Sequence, residues 1–205
     1  IWDDKKFFYI GHPFFDTILR RLNALRDQPH LSAEKYFLLI DFPNIESHIT
    51  FKRVTAAGKK AFYQRLSALA KAKGCRLKIK LHPFGFNSPH NYQDENIDLI
   101  READMAELIH GAEKCFSFFS TLIIPIIYHK GTCFLFFTGD DRELQYDLVE
   151  LGAARRLDIS DFSEKDLADE RPADLVKDAY DTFIRRYLYY TDGKATERLK
   201  NILTA

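Results

Sequence analysis

Between Arg76 and Pro83 the chain reads Arg-Leu-Lys-Ile-Lys-Leu-His-Pro, alternating basic and apolar residues and then stopping. A period of two is the signature of a strand: Arg76, Lys78, Lys80 and His82 share one face, and Leu77, Ile79 and Leu81 share the other. Proline cannot donate to a sheet ladder, so Pro83 closes the segment. His82 and the turn after it then stand at the carboxyl end of a strand, the place where an open parallel sheet binds its ligands.

The rest of the chain supplies the context that such a strand needs. Tyr36–Asp41 is a short apolar run of the kind buried on both faces of a sheet. Asp16–Leu25 carries Ile18, Leu19, Leu22 and Leu25 on one helical stripe, and Lys59–Lys73 carries Phe62, Leu66, Leu69 and Ala70, with Gly74 placed to end it. Helices are expected at Ala103–His110, from Ser120 and Thr121 to near Gly131, at Arg142–Leu151, Asp178–Tyr190 and Lys194–Leu203. Strands are expected at Phe7–Ile10, Lys114–Phe118, Thr132–Phe137 and Ala154–Ile159, with loops through Gly85–Asn91 and the Thr138–Asp141 turn. Alternating strands and helices predict an α/β fold, a Rossmann-like parallel sheet with helices on both faces and right-handed crossovers. The organisation expected is a hinge segment and helix over 1–30, a nucleotide-binding domain over 31–160, and an acidic loop with closing helices over 161–205.

Composition narrows the classes. Of the 205 residues 46% are apolar and 18 are phenylalanine, so a sizeable core can be buried. The 30 basic and 30 acidic residues cancel, which argues against a nucleic-acid binder. Cys75, Cys115 and Cys133 have no zinc-like or redox-like spacing and read as buried free thiols. The charge-free run Cys115–Tyr128 is too short to span a bilayer. No secretory signal is read, and the chain opens on Ile1, so a trimmed chain or a fragment is expected.

Three places could carry chemistry. His82-Pro83 either presents imidazole to an anionic ligand, with Lys78 and Lys80 adding positive field, or is a strand-ending histidine with a structural hydrogen bond. Ser120-Thr121, after an apolar strand, either binds an anion at a helix start or simply caps the helix. Gly139-Asp140-Asp141 competes as a divalent metal site, against a plain turn that caps the next helix. The other histidines lack metal-ligand spacing, and no Walker, nucleophile-elbow or dinucleotide glycine motif is present. Asp94, Glu95 and Asp98 read as a solvated charge cluster. Arg185, Arg186, Tyr187, Tyr189 and Tyr190 read either as a basic-aromatic face for a glycan or membrane surface or as a partly buried closing helix.

Lys-Leu-His-Pro at 80–83, followed by Phe-Ser-Thr-Leu at 119–122, resembles the donor half of bacterial GT-B glycosyltransferases that use CMP-sugars: sialyltransferases, polysialyltransferases and Kdo transferases. Tyr36–Asn44 looks like the first strand and loop of their C-terminal domain, and Gly11–Asp16 is similar to the Gly-x-Pro-x-x-Asp segment that leads into it. Asp192–Ala195 is similar to the closing helices of the wider GT-B group, including teichoic-acid glycerophosphotransferases.

The resemblance implies that His82 and Pro83 hold the CMP moiety, that Ser120 and Thr121 bind its phosphate, and that Lys80 adds to the donor site, with His82 as the catalytic residue. It implies inverting sugar transfer, most simply of sialic acid or Kdo, to a surface polysaccharide or lipooligosaccharide glycan acceptor, with no metal and no cofactor. The location implied is the cytoplasm, peripheral to the inner face of a bacterial membrane. The family's general base belongs to an N-terminal domain that these residues do not include, so no base is assigned; pairing with such a domain, or a homodimer, is expected. Two alternatives stay open: a CDP-glycerol or UDP-sugar donor on the same fold, and a non-enzymatic flavodoxin-like or receiver-like module with Asp41 or Asp140 as its acidic site.

Overall fold

The computed structural model describes residues 9–29, 34–42, 56–87, 91–137, 147–168 and 173–204. Six strands form one sheet: β1 (Tyr36–Ile40), β2 (Arg76–Lys80), β3 (Ile97–Ile100), β4 (Ala112–Ser117), β5 (Cys133–Phe137) and β6 (Ala154–Asp158). Their order is β3-β2-β1-β4-β5-β6, and every pairing is parallel. The chain steps outward from β1 to β3, then crosses back to place β4 against the other side of β1. That reversal is a topological switch point, and it lies between β1 and β4. The order differs from the 2-1-3-4-5 sheet of flavodoxin-like and receiver-like modules, so the chain does not have that topology.

The helices are α1 (Asp16–Leu25), α2 (Ala56–Ala72), α3 (Met105–Gly111), α4 (Ile123–Lys130), α5 (Ala173–Phe183) and α6 (Ala195–Leu203), with a π-helical turn at Ile184–Leu188. Alternation along the strands splits the core in two. Tyr36, Leu38 and Ile40 of β1 face Leu19 and Leu22 of α1, Ile109 of α3, Ile123 and Ile127 of α4, and Phe183. Phe37 and Leu39 face Phe62, Tyr63, Leu66 and Ala70 of α2, together with Leu77 and Ile79 of β2 and Phe116 and Phe136 of β4 and β5. All five residues of β1 are buried, as its unbroken apolar run predicts. Pro125 is tolerated in the first turn of α4, where its missing N–H has no helical acceptor to lose. The three cysteines are free and buried.

Several expectations need correction. β3 falls where no element is expected, and Asp98, grouped with a solvated cluster, lies in it and is bonded by Arg76 through both carboxylate oxygens. The strand containing the basic alternation ends at Lys80, and Pro83 instead opens a single 3-10 turn over Pro83–Gly85. The stretch after β6 is less of a surface excursion than its acidity implies, because Phe162 and Leu167 are buried in the core. Tyr9 and Ile10 are not in a strand; Phe7 and Phe8 lie outside the described residues. Of the helix expected at Arg142–Leu151, residues 147–151 form turns and 142–146 lie outside the described residues. The Asp140–Asp141 turn also lies outside them.

The start of α1 meets the start of α6. Asp16 accepts hydrogen bonds from the backbone N–H groups of Ala195 (2.9 Å) and Thr196 (2.7 Å), so the first residue of α1 caps α6. Arg20 donates to the Gly193 carbonyl at 2.7 Å and Asn23 to that of Thr191 at 2.9 Å.

Candidate functional site

Because the sheet is parallel, the turns after β1, β2 and β4 emerge on one edge. Asp41 and Phe42 leave β1, His82 and Pro83 follow β2, and Ser120 and Thr121 follow β4. His82 and Ser120-Thr121 do not follow successive strands: β3 intervenes in sequence and β1 in space. Two strand spacings put the ends of β2 and β4 about 10 Å apart, a span that a nucleotide can bridge.

His82 is half-buried, and its Nδ1 accepts a hydrogen bond from the Phe84 backbone N–H at 3.3 Å. An accepting Nδ1 requires the neutral ring to carry its proton on Nε2, so Nε2–H is the group offered outward. Burial pushes the imidazole pKa down, and Lys80 pushes the same way, against the opposing pull of Asp41. The imidazolium that would match a departing anion is therefore not the resting form; the ring is a neutral donor, because a second proton on Nδ1 would face the Phe84 N–H. Pro83 is exposed, and Phe84 beside it is 82% exposed.

Lys80 points its ammonium at two carbonyl oxygens, Leu81 at 3.0 Å and Arg101 at 2.9 Å, with the Phe86 ring 5.6 Å away. Burial lowers its pKa. Here its hydrogen bonds hold the turn beside β3.

Ser120 and Thr121 precede α4 without being its N-cap, which is Leu122. Ser120 Oγ accepts from the Leu122 N–H at 3.2 Å, and the Ser120 and Thr121 carbonyls accept from Ile123 and Ile124, each at 3.2 Å. The turn thus uses the first N–H groups of α4 internally, and the exposed Thr121 side chain is the polar group it presents outward.

Asp41, a candidate acidic site from sequence, belongs to a buried constellation beneath this edge whose other members the sequence does not point to. Lys59 of α2 donates to Asp41 Oδ2 at 2.9 Å, with the two side chains 1% and 0% exposed. The Lys59 ammonium also lies 4.9 Å from the Phe42 ring and 5.4 Å from the Tyr63 ring. Burial raises the Asp41 pKa, and Lys59 opposes the rise. The Tyr63 hydroxyl sits near the same carboxylate, short of hydrogen-bond geometry, and is pushed up by burial and then by Asp41. Across the switch point, Ser117 at the end of β4 is fully buried with its Oγ unpartnered. The available signal was an aspartate closing an all-apolar strand, since such a carboxylate needs a cation from elsewhere. Among the described residues no group of three or more His, Cys, Asp or Glu side chains could hold a metal ion. None of the described helices is long and apolar enough to cross a membrane.

No protein-family model and no curated protein matches the chain. Solved structures do. A UDP-GlcNAc 2-epimerase of Methanocaldococcus jannaschii, in complex with UDP-GlcNAc and UDP, superposes with a TM-score of 0.55 at 16% identity, over 99% of this chain and 56% of that one. The wall teichoic acid polymerase TagF superposes with a TM-score of 0.53 at 14% identity, over 99% and 53%. A TagF variant soaked with CDPG gives 0.52 at 15% identity, over 99% and 53%. The chain spans about half the length of these proteins. With its six parallel strands and surrounding helices, it has the architecture of the Rossmann-like half of the GT-B fold.

Proposed function

We propose that this chain is the donor-binding half of a glycosyltransferase, and that the donor is a cytidine-activated sugar, sialic acid or Kdo carried on CMP. The observation that carries the reading is the shared edge: His82 Nε2–H on one side of the β1 end and Ser120-Thr121 on the other, flanking the switch point. His82 and Pro83 would hold the nucleotide, and the Thr121 and Ser120 hydroxyls its phosphate. In the transfer, the bond from the anomeric carbon to the CMP oxygen breaks and CMP keeps the electron pair. An acceptor hydroxyl oxygen bonds to the opposite face of that carbon, and its proton passes to a base that none of these residues provides. Neutral donors aimed at the phosphate stabilise the charge growing there.

A second reading keeps the fold and changes the donor to CDP-glycerol; the likeness to TagF over 99% of this chain favours it. A UDP-sugar is the third member of the comparison, prompted by the UDP-GlcNAc bound to the epimerase.

A thermal-shift panel of CMP, CDP, UDP and AMP separates these readings, because a ligand that prefers the native state raises its melting temperature. CMP-selective stabilisation that is lost in His82→Ala supports the first reading. A preference for CDP or UDP with the same His82 dependence moves the donor and keeps the site. Nucleotide stabilisation indifferent to His82→Ala and to Thr121→Ala would remove the site assignment.

A further inference from the structure

Among the described residues, no crossover helix covers one face of β2. The described part of the β2–β3 connection contains only the 3-10 turn Pro83–Gly85, and Arg76, Lys78 and Lys80 form a half-buried basic row on that face. Beside that row lies a cavity of about 510 Å³, walled by Leu25 and Pro29 at the end of α1 and by Ala103 and Leu108 around α3, with Tyr36 and Lys78 as its floor. The volume is in the range that takes small organic ligands.

The charges around the cavity are already spoken for, with one exception. Arg76 occupies both oxygens of Asp98, the register partner of Lys78. Arg21 bonds Asp104 at 2.7 Å and Glu107 at 3.0 Å, so both rim carboxylates are paired with one guanidinium, which offsets one of their two charges. Asp104 also accepts the N–H groups of Ala106 and Glu107 as the cap of α3. Lys80 is held by carbonyl oxygens. The half-buried Lys78 ammonium lies 4.0 Å from the Tyr36 ring centroid and has no carboxylate partner among the described residues. The Tyr36 hydroxyl donates to the Leu108 carbonyl at 3.0 Å, which fixes the ring beneath it.

The geometry points to a second ligand site, for a small organic anion with a flat or aliphatic body: the anionic head on Lys78 and the body between Leu25, Leu108 and Tyr36. A partly desolvated ammonium without a counter-charge gains most from a charge-assisted hydrogen bond. Lys78 lies four residues before His82, which follows the end of β2, about 13 Å at strand rise, so this pocket is separate from the edge site and does not rest on the donor reading.

Naphthoate and its neutral amide, naphthamide, test the site by ligand-observed NMR titration on the chain. Naphthoate is expected to bind roughly tenfold or more tightly than the amide, the equivalent of one charge-assisted contact. Lys78→Met should erase that preference, Ala103→Trp at the exposed rim should weaken both probes, and His82→Ala and saturating CMP should leave naphthoate binding unchanged. Equal affinity for the two probes, no binding of either, full naphthoate binding by Lys78→Met, or displacement by CMP would each overturn the assignment. Ala103→Trp keeps the test decisive if Lys78→Met fails to fold.

Discussion

Lys59 and Asp41 are hidden almost completely, at 1% and 0% side-chain exposure, and each is the other's ion-pair partner. Removing one partner leaves a charge where water cannot reach it, which costs about 3–5 kcal/mol. Lys59→Met should therefore destabilise by about that amount in urea unfolding at pH 8. The loss should shrink at pH 5, because the Asp41 pKa is already raised by burial and the orphaned carboxyl can take up a proton. Adding Asp41→Asn should restore much of the stability, whereas a single variant within about 1 kcal/mol of the parent would show that the pair is not sensed as buried. The His110–His129 contact, Nδ1 to Nε2 at 2.9 Å, gives a second residue-level prediction. Burial first, then Lys130, His110 and Arg26, lower the His129 pKa to about 4. A depressed histidine binds fewer protons folded than unfolded, so its stability contribution is complete above the unfolded pKa near 6.5 and is lost as pH falls from there to about 4. Discounted for partial exposure, the loss is about 2 kcal/mol, and His129→Gln should flatten that part of a melting-temperature profile against pH.

At the scale of elements, two glycines beside helix ends separate a conformational cost from a steric one. Gly131 ends α4 at φ +77°, and a Cβ built there meets nothing within 4 Å. Gly131→Ala should cost only the conformational penalty, about 1 kcal/mol. Gly193, at φ +68°, would place a Cβ 2.6 Å from the Asp16 carbonyl oxygen and 2.7 Å from Arg20 Cγ. Gly193→Ala must also force apart α1 and the turn that Asp16 and Arg20 anchor, so its loss of stability by urea unfolding should be at least twice as large. Equal losses would mean that the α1–α6 junction is looser than its hydrogen bonds imply. The elements read correctly from sequence, including α1, β1, α2 and β5, have a continuous apolar stripe or run. β3 was missed because Ile97-Asp-Leu-Ile is short and is an edge strand; only its pairing with β2 makes it one. Ser120 and Thr121 lie just before α4 rather than at its N-cap, which is Leu122. The turn that consumes the nearby N–H groups is a tertiary detail with no sequence signal. His82 and Ser120 were legible one at a time, whereas the Lys59 that answers Asp41 comes from the next helix, 18 residues on.

For the molecule as a whole, periodicity supplied a parallel sheet but not the order of its strands, and the order decides what the sheet can do. Placing β1 between β2 and β4 brings His82 and Ser120-Thr121 to either side of one switch point. Among the described strands, the same order makes β1, β4 and β5 the ones with both neighbours present and core packed on both faces. β2 also has two neighbours, but one face is its partly exposed basic row, and β3 and β6 are edges. Opening free energy follows buried contacts and paired backbone, so stability should be graded across the sheet. Amide hydrogen exchange should be slowest at Leu38–Ile40, Cys115–Ser117 and Phe134–Phe136. It should be faster in β2, and fastest in the four-residue β3, which among the described residues pairs with β2 alone. This gradient has a consequence for the two sites. Ligand at the edge site touches the ends of β2 and β4 and should slow exchange in both, whereas an anion on Lys78 should slow β2 and α3 and leave β4 unchanged. Uniform protection across the six strands would mean that the sheet opens only globally, and that the half-buried basic face of β2 is no weaker than the buried centre.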